Sequence, residues 1–197
     1  MRIGIVSDIH GNLEALDYAL SLMGDVDEVL CTGDASDQAR FSDGVMARLR
    51  EIGAHFVQGN HEEALLRGFR PFPLRGDPDL IEWTRAQPKV ISTVVHGKRL
   101  LAFHATPWWP HADYLFADTP DFVRLADEDA DIIIYGHTHY QHVGSVGGAL
   151  VLNPGSTGQP RDPRNRKQDS FTILDVATGD AEVFDFPDPV LARGELL

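Results

Sequence analysis

Residues 3–12 read IGIVSDIHGN. The first four form an apolar run of the kind that fills a buried strand, and the next six present Asp8 and His10, two metal-competent side chains one residue apart. In an extended chain residues i and i+2 point the same way. Asp8 and His10 are therefore expected on one side of the strand end, with Ile9 on the other. Alone the pair also fits ordinary turn chemistry, since Asp, Gly and Asn suit a turn. The reading depends on whether the pattern recurs.

Working outward, the N-terminal half alternates two periods. RIGIV reads as a strand and NLEALDYALSLM as a helix, with apolar residues at helical spacing. EVLCT is a strand, FSDGVMARLREIG a helix closed by Gly53, HFVQ a strand and EEALLRG a short helix ended by Gly68. This β-α-β-α-β order predicts right-handed crossovers and a parallel core. Residues 70–88 are rich in Pro, Gly and charge, and read as a loop with a short helix at LIEWTRAQ. From about residue 90 hairpins dominate: VISTVV-HGK-RLLAFH, HVGSV-GG-ALVLN and SFTILDV-ATGD-AEVFDF. Between the first two, DFVRLADEDA reads as a helix and IIIY as a buried strand. The expectation is one α/β domain over 1–197 with two packed mixed sheets and helices on the outer faces. A substrate-side segment falls near 68–90 and a loop near 105–120.

The pattern does recur. Asp8 and His10 follow IGIV, Asp34 follows EVLCT, and Asn60 and His61 follow HFVQ. His104 follows LLAF, and His137 and His139 follow IIIY. In open α/β sheets ligands bind at the carboxyl ends of strands, and packing does not explain so many ligand-competent side chains at five such ends. Asp, His and one Asn amide, without Cys, favour borderline-hard divalent ions: manganese first, with iron, nickel, cobalt or zinc as alternatives. Calcium and magnesium prefer shells of oxygen alone. Six or seven ligands exceed one tetrahedral site, so two metals sharing a ligand are expected. Asp34 is the candidate bridge because a carboxylate has two oxygens. A pair of ions ~3.5–4 Å apart suits activation of water for in-line attack at phosphorus.

Taken together, D-x-H … GD … GNH(E) … H … GHTH resembles the calcineurin-like metallophosphoesterase superfamily. NPGSTGQPRD, residues 153–162, resembles its small branch related to YfcE-type phosphodiesterases. The resemblance covers about residues 1–186. It implies a four-layer α-β-β-α sandwich with a di-metal site at the strand ends. It further implies that Asp8, His10 and His139 hold one metal, that Asn60, His104 and His137 hold the other, and that Asp34 bridges. His61 would face the substrate phosphate and protonate the leaving oxygen, with Asn60 beside it, while Thr138 would space the two histidines of GHTH onto one side. The implied reaction is hydrolysis of a phosphoester, a phosphodiester before a monoester, by a metal-activated hydroxide. A non-catalytic scaffold of the same fold and a protein phosphatase are the alternatives. The usual His-Gly of the fourth motif is His104-Ala105 here, and Asp37 matches the pattern too poorly to join the ligand set.

Composition narrows the partners. Seventeen Lys and Arg against thirty Asp and Glu leave a formal charge of −13, which disfavours non-specific binding to a polyanion. A small phosphate ester, possibly a nucleotide, is expected instead, received by the metals and by the basic loop RDPRNRK, in which Arg161 is the candidate for steering phosphate. Trp108, Trp109 and His111 could wall the pocket, while His55, His96 and His142 match no ligand position. The lone Cys31, in an apolar run, reads as a packing residue. No stretch approaches the ~20 apolar residues of a membrane span, residues 1–6 lack a signal-peptide pattern, and the expected address is the cytoplasm.

Overall fold

The computed structural model describes residues 1–68 and 74–189. Residues 69–73 of the Pro-rich segment and the C-terminal 190–197 lie outside the described residues. The chain runs β1 (Arg2–Val6), α1 (Leu13–Met23), β2 (Glu28–Cys31), α2 (Asp43–Glu51), β3 (His55–Phe56), α3 (Asn60–Arg67), α4 (Pro78–Arg85), β4 (Val90–Val95) and β5 (Lys98–Phe103). A 3₁₀ helix (Pro120–Asp127) precedes β6 (Ile132–Ile134), β7 (Gln141–Val146), β8 (Ala149–Pro154), β9 (Asp169–Asp175) and β10 (Ala181–Phe186).

Local chemistry accounts for the helix ends. The Asn12 side chain accepts from the Ala15 amide and starts α1, which buries Ala15, Leu16, Ala19 and Met23 along one stripe. Asp77 caps α4, with Pro78 in its first turn. Gly68 ends α3 in the left-handed conformation. The expected helix at 121–130 is instead a 3₁₀ helix over Pro120–Asp127. Its buried residues, Phe122 and Leu125, are three apart. That repeat matches three residues per turn, and the acidic tail offers nothing to extend the buried face.

The strands form two five-stranded mixed sheets, ordered β10-β9-β1-β2-β3 and β4-β5-β6-β8-β7. β1, β2 and β3 pair in parallel, as do β5, β6 and β8. The hairpin partners β4, β7 and β10 pair antiparallel, and so does the β1–β9 junction. Three cores separate four layers. Leu16, Met46, Leu49 and Phe56 lie in the core between the helices and the first sheet, where Trp83 stacks on Phe56 at 5.7 Å. Ile3, Ile5 and Leu30 meet Leu100, Ile132, Ile134 and Leu152 between the sheets. Phe103, Leu115, Phe122, Leu125 and Tyr135 cover the second sheet's outer face. That outer layer is a 3₁₀ helix and a loop, where an α-helix was expected. Cys31 is buried. Among the described residues no helix is long and apolar enough to cross a membrane.

Candidate metal centre

All five ligand-bearing segments follow carboxyl ends of parallel strands: β1, β2 and β3 in one sheet, β5 and β6 in the other. The sheets are stitched at this edge. His104 Nδ1 lies 2.8 Å from the Thr32 carbonyl, the His137 amide donates to Asp8 Oδ2 at 2.9 Å, and the Ser156 hydroxyl donates to the Asp8 carbonyl at 2.7 Å.

The geometry that aims these side chains differs from the extended alternation expected of Asp8-x-His10. β1 ends at Val6, and Asp8 and His10 have φ of 51° and 50°. Asp34, His137 and His139 are left-handed as well, at 50°, 66° and 58°. Non-glycine residues seldom adopt that conformation, and it marks sites where surrounding structure over-determines the backbone. Ala105 is not among them, so an alanine after His104 carries no backbone penalty. The glycines of GD and GNH are needed for space. A Cβ on Gly33 (φ 98°) would stand 2.8 Å from the Gly59 amide nitrogen, and one on Gly59 would stand 2.1 Å from Asp34 Oδ1.

Two groups of side chains converge. In the first, His139 Nε2 lies 3.1 Å from Asp8 Oδ1 and 3.2 Å from His10 Nε2. In the second, His104 Nε2 lies 3.1 Å from His137 Nδ1, 3.1 Å from Asn60 Oδ1 and 3.2 Å from Asp34 Oδ2. The two histidines of GHTH thus enter different groups. Asp34 also belongs to an overlapping group with His10 and His61, its Oδ2 lying 3.6 Å from His61 Nε2. Asp34 therefore sits where the two groups meet.

These residues fit a divalent cation. Metal–ligand bonds of ~2.0–2.2 Å place neighbouring ligand atoms roughly 3.0–3.4 Å apart, the spacing observed here. Asp8 Oδ1, which faces His139, is buried with no hydrogen-bond partner among the described residues. His104 turns Nδ1 to the Thr32 carbonyl and His139 turns Nδ1 to the Gln159 carbonyl. Each donates there, which leaves Nε2 as the nitrogen facing the cluster. The acids and imidazoles offset one another, and a cation bound there would displace the imidazole protons. Burial alone would raise Asp8, yet His10 and His139 hold it well below the usual carboxylate range. Burial opposes charge on His104, but the adjacent Asp34 lifts it to about 10. Burial and the charge of His104 press His137 down to about 4.

Glu62 was read from the sequence as part of GNH(E) and of the helix that follows, with no role of its own. It is buried, and its carboxylate accepts from the amides of Asp34 (2.9 Å), Ser36 (2.8 Å) and Gly59 (2.9 Å). Its signal was present: an acid three residues after Gly59, at the helix start, reaches back to the cap amide. Tyr114 was also missed. It stacks on the His137 ring with centroids 4.0 Å apart, and loop position alone gives no sign of that.

The remaining candidates divide. Trp108 is held on both sides, its indole N–H 2.6 Å from Glu128 and the Arg124 guanidinium 4.1 Å above its ring. Trp109 is 77% exposed, and His111 Nδ1 lies 2.9 Å from the Thr106 carbonyl. In the basic loop Arg164 is tied to Asp162. Arg161 is exposed, and its guanidinium donates to the Gln159 side chain. His55 and His96 are exposed, and His142 packs against Phe122.

The chain belongs to the calcineurin-like phosphoesterase superfamily, whose domain it matches over residues 1–179. It is 30% identical over 205 residues to an uncharacterized protein of Methanocaldococcus jannaschii, covering 88% of this chain and 82% of that one. Its fold is similar to that of a metallophosphoesterase from Sphaerobacter thermophilus, with a TM-score of 0.80, 23% identity, and 98% and 91% of the two chains covered. YfcE, a phosphoesterase from E. coli, has a TM-score of 0.60 at 19% identity over 94% of this chain and 99% of its own.

Proposed function

We propose that this protein hydrolyses phosphate esters, phosphodiesters in preference to monoesters, at a centre of two divalent transition metals. The observation that carries this is the placement of Asp34 between two ligand groups drawn from both sheets. Asp8, His10 and His139 would hold one ion, and Asn60, His104 and His137 the other, with Asp34 shared. Bound there, such ions supply Lewis acidity toward phosphoryl oxygens and make hydroxide available near neutral pH. Manganese is our first choice.

The chain's own groups do the rest. His61 Nδ1 lies 3.2 Å from the Ser36 carbonyl, which can only accept, so the ring is oriented with Nε2 toward the centre. With Nδ1–H donating there, Nε2 carries a proton only in the imidazolium, and that is the form in which His61 would give a proton to the leaving oxygen. Asn60, which starts α3, and Arg161 are proposed to face the substrate. A scaffold of the same fold has no need of these ligands, and all seven stand intact.

The test is chelator-stripped protein reloaded with each metal and assayed on mono- and diesters, with elemental analysis. About two ions per chain and diester turnover are expected, and Asp34→Asn should weaken both sites. No hydrolysis with any ion would overturn the catalytic reading, and tight single occupancy unchanged in the variant would overturn the bridge.

A further inference from the structure

The loop after β5 lays a row of rings leading away from the metal centre. Tyr114, 49% exposed, covers the His137 imidazole. Phe116 lies parallel to Tyr114, with centroids 6.1 Å apart and planes 7° apart, and meets Tyr140 edge-on at 5.2 Å. The Arg164 guanidinium stands 5.7 Å from the Tyr140 ring. This row ends at a recess of about 330 Å³ lined by Phe116, Asp118, Tyr135, Thr138, Tyr140 and Arg164. Thr138 and Tyr140 are the chain neighbours of His139, so the recess and the centre share one segment.

Three features define what fits. The walls are largely flat and apolar, and rings stack on such faces. The polar groups carry both signs. Arg164 spends Nε and Nη2 on Asp162 and the Gln141 carbonyl, while Nη1 makes no hydrogen bond among the described residues. Asp118, exposed in the same lining, only accepts. A second phosphate would meet the carboxylate's repulsion as well as the guanidinium's attraction, whereas a flat heteroaromatic edge with donors and acceptors suits both. The volume is at the small end of the ~300–1,000 Å³ usual for ligand cavities, so it has room for a base but not a whole nucleotide. Trp108 does not line the recess, and the Arg124 guanidinium lies closer over its ring, at 4.1 Å, than Arg164 does over Tyr140.

We infer that this recess receives the nucleobase of a nucleotide ester whose phosphate lies at the metal centre, with Phe116 and Tyr140 as the stacking faces and Arg164 with Asp118 at the base edge. The inference rests on the phosphoesterase reading for its substrate, but its binding half can be tested apart from it. The 4-nitrophenyl esters of thymidine 5′-phosphate and of methyl phosphate share a leaving group and differ in the base. The metal-loaded wild type should prefer the nucleoside ester in kcat/KM. Phe116→Ala should cut that preference roughly 10–100-fold, the scale of base–aromatic stacking, and Phe116→Trp should retain it. No preference in the wild type, or one unchanged in Phe116→Ala, overturns the inference. In parallel, adenosine, which has no phosphate, is titrated into the wild type while the ring resonances of Phe116 and Tyr140 are followed by NMR. Shifts at those rings without hydrolysis of either ester would support the recess and sink the phosphoesterase reading. Hydrolysis without such shifts would do the reverse.

Discussion

His61 stands close enough to the cluster to be either an acid or a ligand. Its Nε2 is 3.6 Å from Asp34, and its ring is edge-on to His10 at 4.7 Å. If it supplies a proton, His61→Ala keeps its metal and loses ~10²–10⁴-fold in kcat on a nucleotide diester. The loss should be much smaller on a nitrophenyl ester, whose phenolate departs unaided. Elemental analysis beside the two rates decides, and lost metal would place His61 among the ligands. Asp169 poses a different question. It is buried, and neither oxygen has a hydrogen-bond partner among the described residues. Burial, reinforced by the charge of Asp188, pushes its carboxyl from 3.8 up to about 8. Between those values the folded chain keeps a proton that the unfolded chain has lost, so stability falls as pH rises across the window. Asp169→Asn should match the wild type's Tm below about pH 4 and exceed it near pH 8. Asn imitates the protonated carboxyl at every pH, and each kcal/mol it saves is worth roughly 2–4 °C at this length. Equal melting temperatures at both pH values would count against a buried, protonated Asp169.

At the scale of elements, one side chain gathers three backbone amides from two segments. Glu62, in the first turn of α3, accepts from Gly59 before that helix and from Asp34 and Ser36 after β2. Burial and the nearby Asp34 lift it to about 7, and three amide donors compensate for much of the cost of its burial. Glu62→Gln turns one acceptor into an NH₂ aimed at a backbone N–H. It should weaken metal affinity ~10–100-fold, as outer-shell substitutions do, and lower Tm as well. Metal titrations of the two proteins would show this, and unchanged affinity would mean the backbone holds Asp34 in place unaided.

Across the whole molecule, the ligands come from both sheets, so bound ions would tie β1, β2 and β3 to β5 and β6 at one edge. A ligand that binds only the folded state stabilises it by about 2.7 kcal/mol at a hundredfold excess over Kd. Chelation should therefore lower Tm by several degrees, and the same metal restored in excess should recover it. A Tm indifferent to both treatments would mean that the cluster does not bind.

Sequence alone determined the order of elements, the three hairpins and the side chains at each strand end, because buried strands, amphipathic helices and Gly-ended turns have local periods. Even the 3₁₀ helix was placed, though not typed, since Phe122 and Leu125 fit either period. Tertiary structure decided what local periods do not encode. Asp8 and His10 converge through left-handed backbone after β1 has ended, a conformation set by packing against Gly33, Gly136 and Ser156 rather than by strand alternation. Tyr114 reached His137, and Glu62 reached Asp34, across 23 and 28 positions. Such pairings form only when the sheets close on one another, so no window of sequence contains them.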